Sequence, residues 1–351
     1  MKIVEFLNVM IMKIRIYALL FAFVFLGACA EDKKIEEIQI TDPDYVLPQG
    51  GNAAADEIIL ELYKTYNTYF LYEYTEKDIE WTQTASLTFY QYEPIDPNDV
   101  ENLLNLLKIT WFDLYNVEVL KKMMPYRVFL TGILKEDIGS WWENWVDIPA
   151  RYLENQIAIN KVEKDVADMS SVEKREFKSY LQATFLEYCV TYGVITIPDE
   201  FYAESDYSKS CASSSEEARE WGFVYNPKTD SEWSYDTWQI TAADDLNAYL
   251  ASLVYRTTEE WAEDLENPLI RKKYDILVNC LKEQYGVDIC KIGNIVYGKV
   301  DFIEDGNGGT KPVNPVLYDL TPLYYLNSVI DSIECKSSED AVKALDVLLT
   351  L

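Results

Sequence analysis

Five stretches of this chain carry the chemistry of a helix start, and short strand-like runs fall between them. Asp96-Pro97-Asn98-Asp99 supplies a capping side chain, a proline suited to a first turn and a further acid. Val100, Leu103, Leu104, Leu107, Trp111 and Leu114 then form one apolar stripe at helical spacing. Ser170-Ser171-Val172-Glu173 is a capping-box pattern. It predicts a helix burying Phe177, Leu181, Phe185 and Tyr188 and closed by Gly193. Thr241-Ala242-Ala243-Asp244 opens a helix through Val254, and Asn267-Pro268 opens another, striped by Ile270, Tyr274, Leu277 and Leu281 and stopped at Gly286. Ser337 to Asp340 caps a last helix, and Asp56 to Tyr69 has helical spacing without so clear a start. Phe70 to Tyr74, Leu87 to Tyr90, Tyr126 to Leu130, Gln156 to Val162 and residues 295–303 read as strands. There is no internal repeat. This order predicts an α+β domain over 56–351, a mixed sheet packed against several helices, with 290–351 as a C-terminal extension.

The first residues are an address, not fold. Lys13 and Arg15 follow Met12, an apolar run spans Ile16 to Leu26, and Leu26-Gly27-Ala28-Cys29 ends it. The run is long enough for a signal-peptide core and too short to span a bilayer as a helix. The ending resembles the lipobox of bacterial lipoprotein precursors. That resemblance implies a signal peptide over 1–28, with Met12 an alternative start, and lipidation of Cys29 by acyl chains such as palmitate. Residues 29–55, with Pro43, Pro48, Gly50 and Gly51, then read as lipidated cysteine and linker. The implied location is the cell envelope, as an outer-membrane lipoprotein facing either periplasm or exterior, held by its lipid anchor.

Charge and composition exclude whole classes of function. The chain has 31 basic and 60 acidic residues; removal of 1–28 takes away three and one of these, leaving a net charge of −31. A basic nucleic-acid footprint is absent, and anionic headgroups would be repelled. With 27 Tyr and 9 Trp the mature chain has the apolar content of a folded globule. Cys189, Cys211, Cys280, Cys290 and Cys335 are an odd set with no Cys-x-x-Cys spacing, so at least one is free, and their pairing is open. The most restrictive fact for chemistry is that the chain has no histidine. Serine or cysteine triads and every imidazole-ligated zinc site are thereby removed. Carboxylates, phenols and amines remain as acid–base groups.

Three stretches together resemble a known family. They are Ile197-Pro198-Asp199-Glu200-Phe201 with Ser205-Asp206-Tyr207; Glu217-Ala218-Arg219-Glu220-Trp221-Gly222-Phe223-Val224; and Asp244-Asp245-Leu246, Thr257-Thr258-Glu259-Glu260-Trp261 and Ile270-Arg271-Lys272-Lys273-Tyr274-Asp275-Ile276-Leu277. In order and spacing they are similar to the zinc-binding metallohydrolase lipoproteins associated with outer-membrane substrate-import systems, over roughly Asp56 to Ile289. The resemblance implies a zincin-like fold. In such a fold an edge strand, matched here by Gln156 to Val162, precedes a helix bearing H-E-x-x-H, matched by Ser170 to Tyr192. It places Ala183 and Glu187 where the two histidines would stand and Thr184 where the glutamate would stand. The family's later acidic pair falls on Asp244 and Asp245. Alanine has no lone pair and threonine is a poor base, so the resemblance implies an inactive member with no zinc and no other cofactor. An oxygen-ligated metal held by Glu187, Asp244 and Asp245 is the remaining metal reading.

Other candidate residues are aromatic. Trp141, Trp142 and Trp145 crowd three indoles together, and Trp233, Tyr235 and Trp238 form a second patch; either could hold a sugar ring or simply pack in a core. Asp301 to Gly309 superficially resembles a calcium loop but lacks the alternating ligands, so a hairpin turn is the expectation. Three functions follow: a non-catalytic scaffold binding a glycan, a peptide or an import complex; a two-carboxylate, glycosidase-like hydrolase; or a structural envelope lipoprotein.

Overall fold

A computed structural model describes residues 45–80, 90–139, 143–209, 212, 214–228, 240–295 and 297, together with the strand segments 302–304 and 310–312. From Leu47 onward these residues belong to one compact unit. The fold is α+β: among the described residues a six-stranded mixed sheet is packed by ten α-helices.

The order is α1 (Ala53–Tyr66), β1 (Tyr69–Leu71), α2 (Glu76–Glu80), β2 (Tyr90–Pro94), α3 (Val100–Thr110), α4 (Val117–Met123) and β3 (Arg127–Asp137). Then come β4 (Trp145–Asp147), β5 (Ala150–Leu153), β6 (Gln156–Asn160), α5 (Ser171–Thr191), α6 (Asp199–Ala203) and α7 (Ser215–Glu220). The series ends with α8 (Ala242–Tyr255), α9 (Pro268–Tyr285), α10 (Ile289–Asn294) and a separate antiparallel pair, β7 (Phe302–Glu304) and β8 (Thr310–Pro312). That pair is the expected hairpin, although its connecting residues, like the helix expected from Ser337, lie outside the described residues.

β3 organises the sheet. Its first half runs parallel to β1 on one side and to β6 on the other, and its second half pairs antiparallel with β2 and β4. The sequence reading places this strand over Tyr126 to Leu130. The strand continues because its second half is only half-buried and tolerates charge. Gly132 sits at the bulge beside Pro94, where a Cβ would meet the Pro94 carbonyl oxygen at 3.0 Å. Gln156–Asn160 corrects the expectation of an edge strand. It is interior, parallel to β3 and antiparallel to β5, and all five residues are buried. β5 is its outer neighbour.

The helix starts behave as their caps dictate. The Ser170 hydroxyl accepts from Glu173 N at 3.2 Å while the Glu173 carboxylate accepts from Ser170 N at 2.8 Å. Thr241 and Asp244 make the same reciprocal pair for α8. Asn267 caps α9 with Pro268 at the first helical position, and Gly286 closes it in the left-handed region. The predicted stripe of α3 is buried throughout. The linker expected to reach residue 55 ends sooner: Gln49 N and Gly50 N donate to Asp56, Tyr72 donates its hydroxyl to the same carboxylate, and Asn52 caps α1. α5 packs on α8 and β5, and its middle turns are buried on nearly every side.

Candidate functional site

The middle of α5 contains the positions that the family resemblance singles out. Ala183 and Thr184 are each 1 % exposed and Ala183 is part of the main core cluster. The Thr184 hydroxyl has no hydrogen-bond partner among the described residues. Glu187, one turn on, is buried, and its Oε2 accepts from Lys228 Nζ at 2.6 Å. Burial pushes the Glu187 carboxyl above the usual carboxylate range, and the Lys228 ammonium opposes that rise. The ammonium also lies 5.2 Å from the Tyr180 ring centre, one turn before Ala183 on the same helix.

Lys228 reaches this point because its loop is pinned to α8. Tyr249 donates its hydroxyl to Gly222 O at 2.9 Å, Ser252 donates to Tyr225 O, and Lys228 N donates to Asn226 Oδ1 at 3.0 Å. The two contacts with α8 span 27 residues and the ion pair spans 41, so no local sequence pattern announces Lys228. Beside it opens a cleft of about 720 Å3. Its walls are Phe177 and Tyr180 of α5, Tyr255 of α8, Tyr225 and Lys228 of the pinned loop, and Glu163 before α5.

The two remaining acids are committed elsewhere. Asp244 is exposed at the first turn of α8, where its carboxylate accepts from Thr241 N and Oγ1. Asp245 is fully buried and bound by Lys273 Nζ at 2.7 and 2.6 Å through its two oxygens. Ser205 Oγ and Gly222 O accept from the same ammonium, Tyr207 donates to Asp245 Oδ2 at 2.6 Å, and Phe201, Phe223 and Tyr249 ring the cation. Burial raises the Asp245 carboxyl and lowers the Lys273 ammonium, each opposed by the other's charge. All three stretches of the family resemblance converge here: Phe201, Ser205 and Tyr207 from the first, Gly222 and Phe223 from the second, Asp245 and Lys273 from the third.

The residues present do not fit zinc. Ala183 has no donor atom, Thr184 offers a buried neutral hydroxyl, and the one carboxylate already holds an ammonium at contact distance. Nor does an oxygen-ligated site assemble from Glu187, Asp244 and Asp245: among the described residues no three His, Cys, Asp or Glu side chains converge so as to hold a metal. Glu173, which also lines the cleft, is no proton donor at neutral pH. Lys164, then the Ser170 N–H and hydroxyl, hold its carboxyl at about 2.

Of the expected aromatic sites, Trp145 lies half-buried on β4 and donates from its indole to Glu143; it is not part of the cleft wall. Trp141, Trp142, Trp233, Tyr235 and Trp238 lie outside the described residues, as do Cys29, Cys211, Cys335 and the expected signal peptide over 1–28. Cys189 and Cys280 are free and buried, Cys290 is buried against the Tyr274 hydroxyl, and burial pushes the Cys189 thiol far above its ordinary value, as befits a core residue. Sequence reasoning missed Lys228, Tyr225 and Tyr255. Only Tyr180 could have been found, from its place seven residues before Glu187 on one helix face.

The described domain is thus of mixed α+β class, a sheet backed by helices with a tyrosine-walled cleft along its longest one. No protein-family profile matches the chain, and no curated protein does. Among solved structures it is similar to a Bacteroides caccae protein described as a "putative zinc-binding metallo-peptidase", at 14 % identity and a TM-score of 0.44, over 68 % of this chain and 88 % of that one.

Proposed function

We propose that this chain is a cell-envelope lipoprotein whose zincin-like domain binds a ligand and does not hydrolyse it. The observation that carries the reading is the Glu187–Lys228 pair, 2.6 Å apart, at the place where the family resemblance puts a metal ligand. An ammonium supplies the positive charge there, and it can neither polarise a carbonyl nor lower the pKa of a bound water as zinc does. The cleft beside it keeps a volume suited to a small ligand. The lipobox Leu26-Gly27-Ala28-Cys29 supports membrane attachment, and an outer-membrane import complex is the partner that the resemblance suggests.

Metal analysis of the purified mature protein after dialysis tests the central claim. We expect no stoichiometric zinc, no change in melting temperature with chelator and no peptide cleavage. Retained zinc together with peptidase activity would overturn it. Fatty-acid labelling in cells tests the anchor: the parent chain should incorporate label and Cys29→Ser should not.

A further inference from the structure

The cleft along α5 also says what kind of ligand it suits, given the reading above that it binds without hydrolysis. We propose that it takes a short neutral oligosaccharide. Two tyrosines on opposite helices, Tyr180 of α5 and Tyr255 of α8, line it. Each ring has a cation over one face: Lys228 stands 5.2 Å from the Tyr180 ring centre and the Arg175 guanidinium 4.8 Å from that of Tyr255. Arg175 is itself tethered, donating to the Tyr255 carbonyl oxygen at 2.8 Å. The rings are therefore held in place before any ligand arrives, which reduces the entropy lost on binding. Neither hydroxyl has a hydrogen-bond partner among the described residues, so none of these takes up the polar edge that a ligand would meet. A flat apolar ring face with a free polar edge is what a sugar ring, with its C–H face and hydroxyl rim, complements. The exposed carboxylates of Glu163 and Glu176 on the wall add acceptors for sugar hydroxyls.

The same wall disfavours the alternatives. Among the described residues its two cations are spoken for, Lys164 by Glu173 at 2.6 Å and Lys228 by Glu187 at 2.6 Å, so there an anionic ligand meets carboxylates with no free positive charge. An extended peptide needs a ladder of backbone donors and acceptors. The loop wall instead presents Pro149 and Pro227, which lack an N–H, and the Pro149 carbonyl already accepts from Asn160 N.

Titration calorimetry of the purified mature chain tests this, with neutral trisaccharides of glucose, xylose, mannose and galactose as probes. Trigalacturonate and a tetralysine peptide serve as charged controls. At least one neutral trisaccharide should bind, and Tyr180→Ala and Tyr255→Ala should each weaken it about tenfold. Should either alanine variant fail to fold, Tyr180→Phe and Tyr255→Phe remove only the hydroxyls and should weaken binding about threefold. The proposal is overturned if no trisaccharide binds below about 10 mM, if a charged control binds better, or if the tyrosine variants bind as the parent does. Cleavage of a bound trisaccharide would sink the non-hydrolytic reading while leaving the ligand class standing.

Discussion

Lys178 shows what a single side chain can cost this fold. It lies on α5, is 0 % exposed, and among the described residues its ammonium has a lone carbonyl acceptor, Ile292 O at 2.8 Å, with no carboxylate in contact. Burial, with Arg175 adding to it, lowers its pKa to about 7. Below that value the folded and unfolded chains both carry the proton, and the full penalty of a buried charge weighs on the fold. Above it the folded chain has released the proton while the unfolded chain keeps it until about 10.5, so stability rises with pH across this window. Lys178→Met should therefore be more stable than the parent by about 2 kcal/mol at pH 6. That advantage should shrink steadily between pH 7 and 9, as measured by urea unfolding of the two proteins side by side. A constant difference across this range would rule out titration of Lys178 as the cause.

At the scale of elements, the Lys228–Glu187 pair joins α5 to the loop that precedes α8. Removing one partner strands the other: Lys228→Met leaves a buried carboxylate unpaired and should cost about 3 kcal/mol. Glu187→Leu combined with Lys228→Met removes both charges and should recover most of that loss, as read from chemical denaturation of the single and double variants. Additive losses would mean that the two side chains do not act as a pair. Elements also mark how far the sequence could be read. The starts of α5, α8 and α9 were legible because capping is local chemistry, complete within four residues at Ser170–Glu173, Thr241–Asp244 and Asn267–Pro268. Asp244 was legible as a cap for the same reason. Its neighbour Asp245 was not, since its partner Lys273 is 28 residues away and only helix packing brings them together. The far half of β3 was misread because its charged residues are tolerated by a face that water still reaches.

At the scale of the whole molecule, charge is the dominant fact. A net charge of −29 over 351 residues is self-repelling, while the ion pairs that offset it are mostly single and partly exposed. Screening should relieve more repulsion than attraction, so the melting temperature should rise between about 20 and about 200 mM sodium chloride. A fall over that range would mean that the surface pairs outweigh the net charge. None of the described helices is long and apolar enough to cross a membrane. By itself the sequence determined the α+β class, the helix starts and the loss of imidazole chemistry, because caps, apolar spacing and the absence of a residue type need no partner to be read. Tertiary structure alone decided that Gln156–Asn160 lies inside the sheet, that Asp245 serves a buried joint, and that Lys228 neutralises Glu187 beside an open cleft. Those outcomes depend on groups tens of residues apart meeting in a low-dielectric interior, where an unpaired charge is too costly to persist and each must find its counterpart through the fold.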